Sequence, residues 1–165
     1  MLPVTGPGPE EGPLPGLDGL VPPQRAAGAV CTAYVLLEAI ISPLLSIPVP
    51  ARLRYRSREP YTVYLDSHID LPEPVTWALS REILLGGLTA PTGLGDVSVF
   101  PGTGGEADSV FVSLRGRDTT ALLRARADVL HAFLRWTACV VPPGLESEHF
   151  DVDTLLGRLR EKDDG

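Results

Sequence analysis

Two cysteines and three histidines in 165 residues leave little room for metal or disulfide chemistry. Cys31 and Cys139 are too few and too far apart for a disulfide framework or a zinc site, and neither an H-x-x-x-H nor a C-x-x-C pair occurs. Two reduced, largely buried thiols are expected instead, with no structural metal and no cofactor. Positive charge is also scarce. The net charge of −7 favours solubility and opposes tight binding of nucleic acid by general electrostatics. Residues 1–25 are not expected to form a signal n-region, because Arg25 is their only base and the stretch is acidic and proline-rich. One long apolar run, AAGAVCTAYVLLEAIISPLL (26–45), approaches the length of a membrane span. Glu38 sits in its middle, where a carboxylate costs roughly 2–3 kcal/mol on insertion scales, and Pro43 would interrupt its last turn. Its β-branched and aromatic residues (Val30, Thr32, Tyr34, Val35, Ile40, Ile41) favour a buried strand, so no membrane insertion is expected.

What the chain does contain is 44% apolar residues, enough for one domain with a core, together with 17 Gly and 17 Pro. Residues 1–28 hold seven of those prolines and six of the glycines and too little apolar pattern to offset ordering entropy, which reads as a disordered tail. The domain is expected over 29–160, with a frayed end at 161–165. ARLRYRS (51–57) alternates, Leu53 and Tyr55 on one face and Arg52, Arg54 and Arg56 on the other. YTVYLDSHI (61–69) alternates likewise, with Tyr61, Val63, Leu65 and Ile69 inward and Thr62, Tyr64, Asp66 and His68 outward. SREP joins the two as a short hairpin connection. VTWAL (75–79) is a further strand, followed by a short helix that Ser80 caps, that Glu82 suits electrostatically and that Gly86-Gly87 would stop through a left-handed residue. DVSVF (96–100) and SVFVSLR (109–115) are strands around the loop PGTGGEAD. Asp118 is expected to cap one long helix over 119–138, with Leu123, Ala127, Leu130 and Leu134 as its stripe and Leu122, Val129 and Phe133 flanking. Arg124, Asp128, His131 and Arg135 fall opposite. Arg126 projects into the apolar arc, either as a snorkelling or rim-paired cation or as a subunit or partner contact. Asp153 caps a short C-terminal helix. Antiparallel sheet with one long and two short helices makes an α+β fold.

Reactive constellations are absent from this pattern. The glycine-rich GGLTAPTGLGDVSVFPG (86–102) runs helix, turn, strand, whereas a phosphate loop runs strand, glycines, helix; it also lacks G-K-[ST], and Asp96 would repel an anion. Its glycines are expected at turns, with Asp96 bonding backbone amides. Asp66, Ser67 and His68 contain triad residue types, but alternation sends Ser67 and His68 to opposite faces. The acidic cluster Glu146, Glu148, Asp151 and Asp153 lacks calcium-loop spacing. Nothing identifies an enzyme. The ladder Arg52, Arg54 and Arg56, with Tyr55, Tyr61 and Tyr64 nearby, is the best candidate for a single-stranded nucleic-acid interface, against which stand a solvated face or one meeting an acidic partner.

SIPVPARLRY (46–55), PYTVYL (60–65), VTWALSREILLGGL (75–88), PTGLGDVSVFP (91–101) and VPPGLESEHFDVD (141–153) together resemble the SsgA-like proteins of sporulating actinomycetes, regulators of sporulation-specific cell division. The resemblance implies a non-enzymatic cytoplasmic scaffold concentrated at the division septum. It also implies a whirly-like fold assembled as an intertwined trimer. Implied partners are further copies of the chain, other SsgA-like proteins, and the tubulin-like division GTPase or septal peptidoglycan enzymes. Pro142, Pro143 and Gly144 match the family's V-P-P-G turn, a weak candidate partner surface beside Arg52, Arg54, Arg56 and Arg126. No catalytic residue carries over. The arginine ladder is more basic than the family pattern, and the 1–28 tail exceeds the family's usual start.

Overall fold

A computed structural model describes residues 28–150 and Arg160. The expected tail, bar Gly28, and the Asp153-capped helix, bar Arg160, lie outside these residues, as does the frayed end. Eight strands form one antiparallel sheet: β1 (Val30–Ser42), β2 (Leu45–Arg56), β3 (Thr62–Ser67), β4 (Val75–Ser80), β5 (Thr92–Leu94), β6 (Val97–Pro101), β7 (Ser109–Arg115) and β8 (Thr120–Arg126). Helix α1 (Arg81–Gly87) follows β4, α2 (Ala127–Val140) follows β8, and a short α3 spans Glu146–His149. The order β4-β3-β2-β1-β8-β7-β6-β5 is two four-strand meanders, each followed by a helix, joined side by side. The joint is narrow. β1 meets β8 only at Glu38 opposite Arg124 and Ala39 opposite Leu123.

Alternation sets the faces. Cys31, Ala33, Val35 and Leu37 of β1, Leu53 and Tyr55 of β2, and Val63 and Leu65 of β3 are buried on the inner face against Val129, Leu130, Phe133 and Leu134 of α2. β1 is therefore half-buried rather than buried throughout, and Val30, Tyr34 and Ile41 are exposed. Asp66 faces outward as its parity requires yet is only 1% exposed, because arginines close over it. Tyr61, expected inward, is exposed just before β3 begins and packs on Phe150, centroids 6.0 Å apart.

The long helix is corrected at its start. Residues 120–126 are β8, paired along their whole length with β7, and α2 begins at Ala127 without a side-chain cap. Leu, Ala and Arg all favour helix, so the local signal runs unbroken through the boundary; a full antiparallel ladder on β7 outweighs it. Ser80 does cap α1, its Oγ accepting from the Ile83 amide at 3.3 Å. The two glycines ending α1 act differently from expectation. Neither has a positive φ; a Cβ on Gly87 would lie 2.2 Å from Val99 Cγ1, so this glycine lets α1 press onto β6. Gly95, at φ +62°, supplies the β5–β6 turn, whereas Asp96, expected to bond amides within that turn, accepts through its carbonyl from the Arg115 amide of β7 at 2.8 Å.

Candidate functional site

The outer face of the first meander gathers the arginine ladder. Arg52, Arg54 and Arg56 lie at alternate positions of β2, so they share one face. Beneath the first two is Asp66 of β3. Arg54 grips it in two-point fashion, Nε donating to Oδ2 at 2.6 Å and Nη2 to Oδ1 at 2.9 Å. Arg52 Nε donates to Oδ2 at 2.8 Å, and Thr76 Oγ1 donates to Oδ1 at 2.7 Å. These donors, Arg54 foremost, hold the Asp66 carboxyl far below the usual carboxylate range despite its burial. Arg54 also lies over the Tyr64 ring, 5.2 Å from its centroid. Tyr34 of β1 stands opposite Arg52 on the same face. Tyr55 does not belong here. It is buried on the inner side, its hydroxyl donating to the Pro60 carbonyl at 3.0 Å.

A second polar cluster, unanticipated from sequence, centres on Arg81 at the start of α1, 1% exposed. Its Nη1 donates to the Val141 carbonyl at 2.7 Å and the Thr137 carbonyl at 3.3 Å, and its Nη2 reaches Glu146 Oε1 at 2.8 Å. The guanidinium thus sits on the negative end of α2 while lying over Tyr55, 5.0 Å from the ring centroid. Glu146 Oε2 in turn accepts from the Gly144 amide at 2.8 Å, and its own backbone amide, followed by Arg81, holds its carboxyl below the ordinary range. Pro142, Pro143 and Gly144 are therefore an exposed turn pinned by a buried cation, with Gly144 at φ +93° and the Leu145 amide donating to Pro142 at 3.0 Å. The sequence signal for this role was faint: a lone arginine beside the cap Ser80, between Leu79 and Leu84.

Arg126 ends β8, exposed and paired with Asp128 at 2.6 Å. Arg124, assigned from sequence to a helix face, is a strand residue. Its Nε donates to Glu38 at 2.6 Å and its Nη1 to Glu106 at 3.0 Å, so the acid that argued against membrane insertion locks the two meanders together. The sequence-predicted residues thus occupy three separate places: Arg52, Arg54 and Arg56 share a face, Arg126 stands at the β8–α2 junction, and Pro142, Pro143 and Gly144 form the turn after α2.

The triad types come closer than alternation allowed. β3 ends at Ser67, and His68 adopts φ +59°, which brings its Nδ1 to 3.2 Å from Ser67 Oγ. Ser67 Oγ donates to the Val75 carbonyl, so Nδ1–H is the donor to Ser67. Asp66 is held by arginines rather than by His68, so this is a turn lock and not a charge relay. Cys31 is buried, and burial pushes its thiol up to about 12; Cys139, expected to be buried, is exposed. Among the described residues no His, Cys, Asp and Glu group could hold a metal, and no helix is long and apolar enough to cross a membrane.

The molecule also carries two apolar surfaces. Where β1 and β8 diverge, a cleft of about 390 Å³ is lined by Val35, Leu37, Leu65, Val112, Val129 and Leu130. At the far end of the β1–β2 hairpin, Ile41, Leu44, Leu45 and Ile47 are exposed, Leu44 to 98%.

Comparison with known proteins places this architecture. The family model of the Streptomyces sporulation and cell division protein SsgA matches residues 49–146. The sporulation-specific cell division protein SsgB of Streptomyces coelicolor is 41% identical over 123 residues, 74% of this chain and 90% of that protein. Its counterpart from Salinispora tropica is 40% identical over 125 residues, covering 74% and 87%. A solved SsgB structure, described by mutations that correlate with longitudinal cell division during sporulation of Streptomyces coelicolor, superposes with a TM-score of 0.71 at 37% identity, covering 77% of this chain and all of that one. The crystal structure of an SsgA-like sporulation-specific cell division protein from Thermobifida fusca gives 0.72 at 32% identity, covering 82% and 98%. None of these relatives is named for binding nucleic acid. The match over most of the chain, in sequence and in the paired meanders alike, means that the chain belongs to the SsgA family of sporulation and cell division proteins.

Proposed function

We propose that this chain is a non-enzymatic scaffold that assembles with itself and places septal machinery during sporulation-specific division. The observation that carries this reading is the contrast between spent polar chemistry and unpartnered apolar surface. The acids and bases that could form reactive pairs are tied into structural locks around Asp66, Arg81 and Arg124. Ile41, Leu44, Leu45 and Ile47, by contrast, project into solvent in one chain alone. The hairpin tip of one copy and the cleft of the next are complementary in being apolar, and a head-to-tail contact of this kind gives a ring such as a trimer when its rotation closes. Further partners in this reading are other SsgA-like proteins, the tubulin-like division GTPase or septal peptidoglycan enzymes, met at the division septum on the cytoplasmic side. The fold and names of the relatives support the division role; placement and assembly are the added step.

Imaging a fluorescent fusion in sporulating filaments, with a deletion strain alongside, tests this directly. Fluorescence in bands at septa and aberrant septation in the deletion are expected; diffuse fluorescence with normal septation would overturn the reading. Light scattering on the purified chain tests assembly. Native protein is expected at a multiple of 17.6 kDa, and the paired change Leu44→Ser and Leu45→Ser at the single-chain mass. A native chain already at the single-chain mass removes self-assembly.

A further inference from the structure

We propose that the outer face of β1, β2 and β3 docks an extended acidic segment of a partner protein, carrying carboxylates at alternate positions and an apolar residue beside them. This deepens the scaffold reading by stating the chemistry of one partner, and it rests on that reading.

The charge balance of this face differs from that of the other ion pairs described. Arg81 has Glu146, Arg126 has Asp128, and Arg124 has both Glu38 and Glu106. On the ladder, two cations share the single carboxylate of Asp66 and a third stands beside them, in a chain whose net charge is −7. Arg56 is exposed and has no ion pair among the described residues. The remaining charge on this side of β1, Glu38, is held by Arg124.

Asp66 also orders the ladder. Arg54 bonds it through Nε and Nη2, Arg52 bonds it through Nε and also engages the Tyr34 hydroxyl, and the two side chains remain 22% and 36% exposed. A positioned guanidinium loses less freedom on meeting a second carboxylate than a free one does. Alternate residues of a strand lie about 6.8 Å apart, the same interval at which an extended peptide presents every second side chain. Three carboxylates at i, i+2 and i+4 therefore match Arg52, Arg54 and Arg56 one to one.

Apolar anchors flank the row. Tyr34 and Leu36, 48% and 64% exposed, stand opposite Arg52 and Pro50 on β1. Both edges of β2 are paired, so the segment lies across the face rather than adding a strand. A nucleic acid suits this surface less well. Arg54 already covers the Tyr64 ring that a base would stack on, and Asp66 lies under the ladder.

The test is fluorescence anisotropy of a labelled peptide, Glu-Thr-Glu-Thr-Glu-Val-Leu, against the full-length chain. A peptide of the same composition with its glutamates in one block, and an oligo-dT, serve as comparisons. Salt-sensitive binding of the alternating peptide is expected, weakened about tenfold by Arg56→Glu, a surface change. Tyr34→Ala should weaken it too, and both variants should keep the native melting curve and native mass by light scattering. Equal binding of the block peptide overturns the one-to-one match. Tighter binding of oligo-dT overturns the protein partner, and absence of peptide binding at low salt overturns the proposal. Mass and anisotropy are separate readouts, so loss of self-assembly with intact peptide binding would sink the assembly reading alone.

Discussion

The two faces of β2 use arginine and tyrosine in opposite ways. Inside, Tyr55 is buried and supports Arg81, whose guanidinium is consumed by two helix-end carbonyls and Glu146. Outside, Arg52 and Arg54 share Asp66 and remain partly exposed, while Arg56 is unpaired among the described residues. The inner cation exists to join α1, α2 and the V-P-P-G turn, so its donors are satisfied within the fold. The outer cations outnumber their acid, so that face retains capacity for a partner. One residue type serves stability on one side and recognition on the other, and the difference lies in how many acceptors the fold brings to it.

The sharpest way to break this contrast is Arg81→Ala. It orphans the buried Val141 carbonyl, strips Glu146 of its counter-charge and empties a packed volume, so thermal or denaturant unfolding should show a loss of about 3 kcal/mol or more. A loss below about 1 kcal/mol would show that the inner cluster is dispensable. Asp66→Asn comes next, at about 2–3 kcal/mol, because four hydrogen bonds to a buried carboxylate are weakened and two arginines lose their counter-charge. This deficit carries a pH signature. The native carboxyl titrates well below its unfolded value of about 3.9, so its stabilisation is complete above that pH. It declines as pH falls toward the depressed native value, and native and variant curves should converge in acid; a constant gap down to strong acid would remove Asp66 as the source.

Gly95→Ala, at φ +62° in open space, should cost about 1 kcal/mol from backbone strain alone. Gly87→Ala, which meets Val99, should cost more, about 1–3 kcal/mol. Equal effects would mean that α1 does not press on β6 as described. Smallest in stability is Arg56→Ala, expected within about 0.5 kcal/mol of native by unfolding. A larger loss would assign Arg56 to the fold and leave the outer face no freer than the inner one.

Much of the first meander was legible because its strands are half-buried and alternate strictly: Leu53 and Tyr55 against Arg52, Arg54 and Arg56 follow from a period of two. The Ser80 cap was legible for a similar reason, being a local hydrogen bond. β8 was not, since TALLRAR contains good helix formers and only β7, several residues earlier, makes it a strand. Gly87 was misread because close approach to Val99 and a left-handed stop leave the same glycine in the sequence. Arg81 was overlooked because its acceptors lie more than 50 positions away, at Thr137, Val141 and Glu146.

By itself the sequence determined the class of the molecule: antiparallel strands with helices, an arginine face on β2, no metal-ligand spacing, and the motif order that marks the family. Those features are set by neighbours along the chain or by residue types at fixed intervals. Only the tertiary structure decided that Asp66 lies beneath the ladder, that Glu38 and Arg124 bind the two meanders, that Arg81 closes the end of α2, and that a cleft opens where β1 leaves β8. These depend on which distant groups meet at hydrogen-bond distance, and pairing across a sheet is specified by register and packing rather than by local pattern.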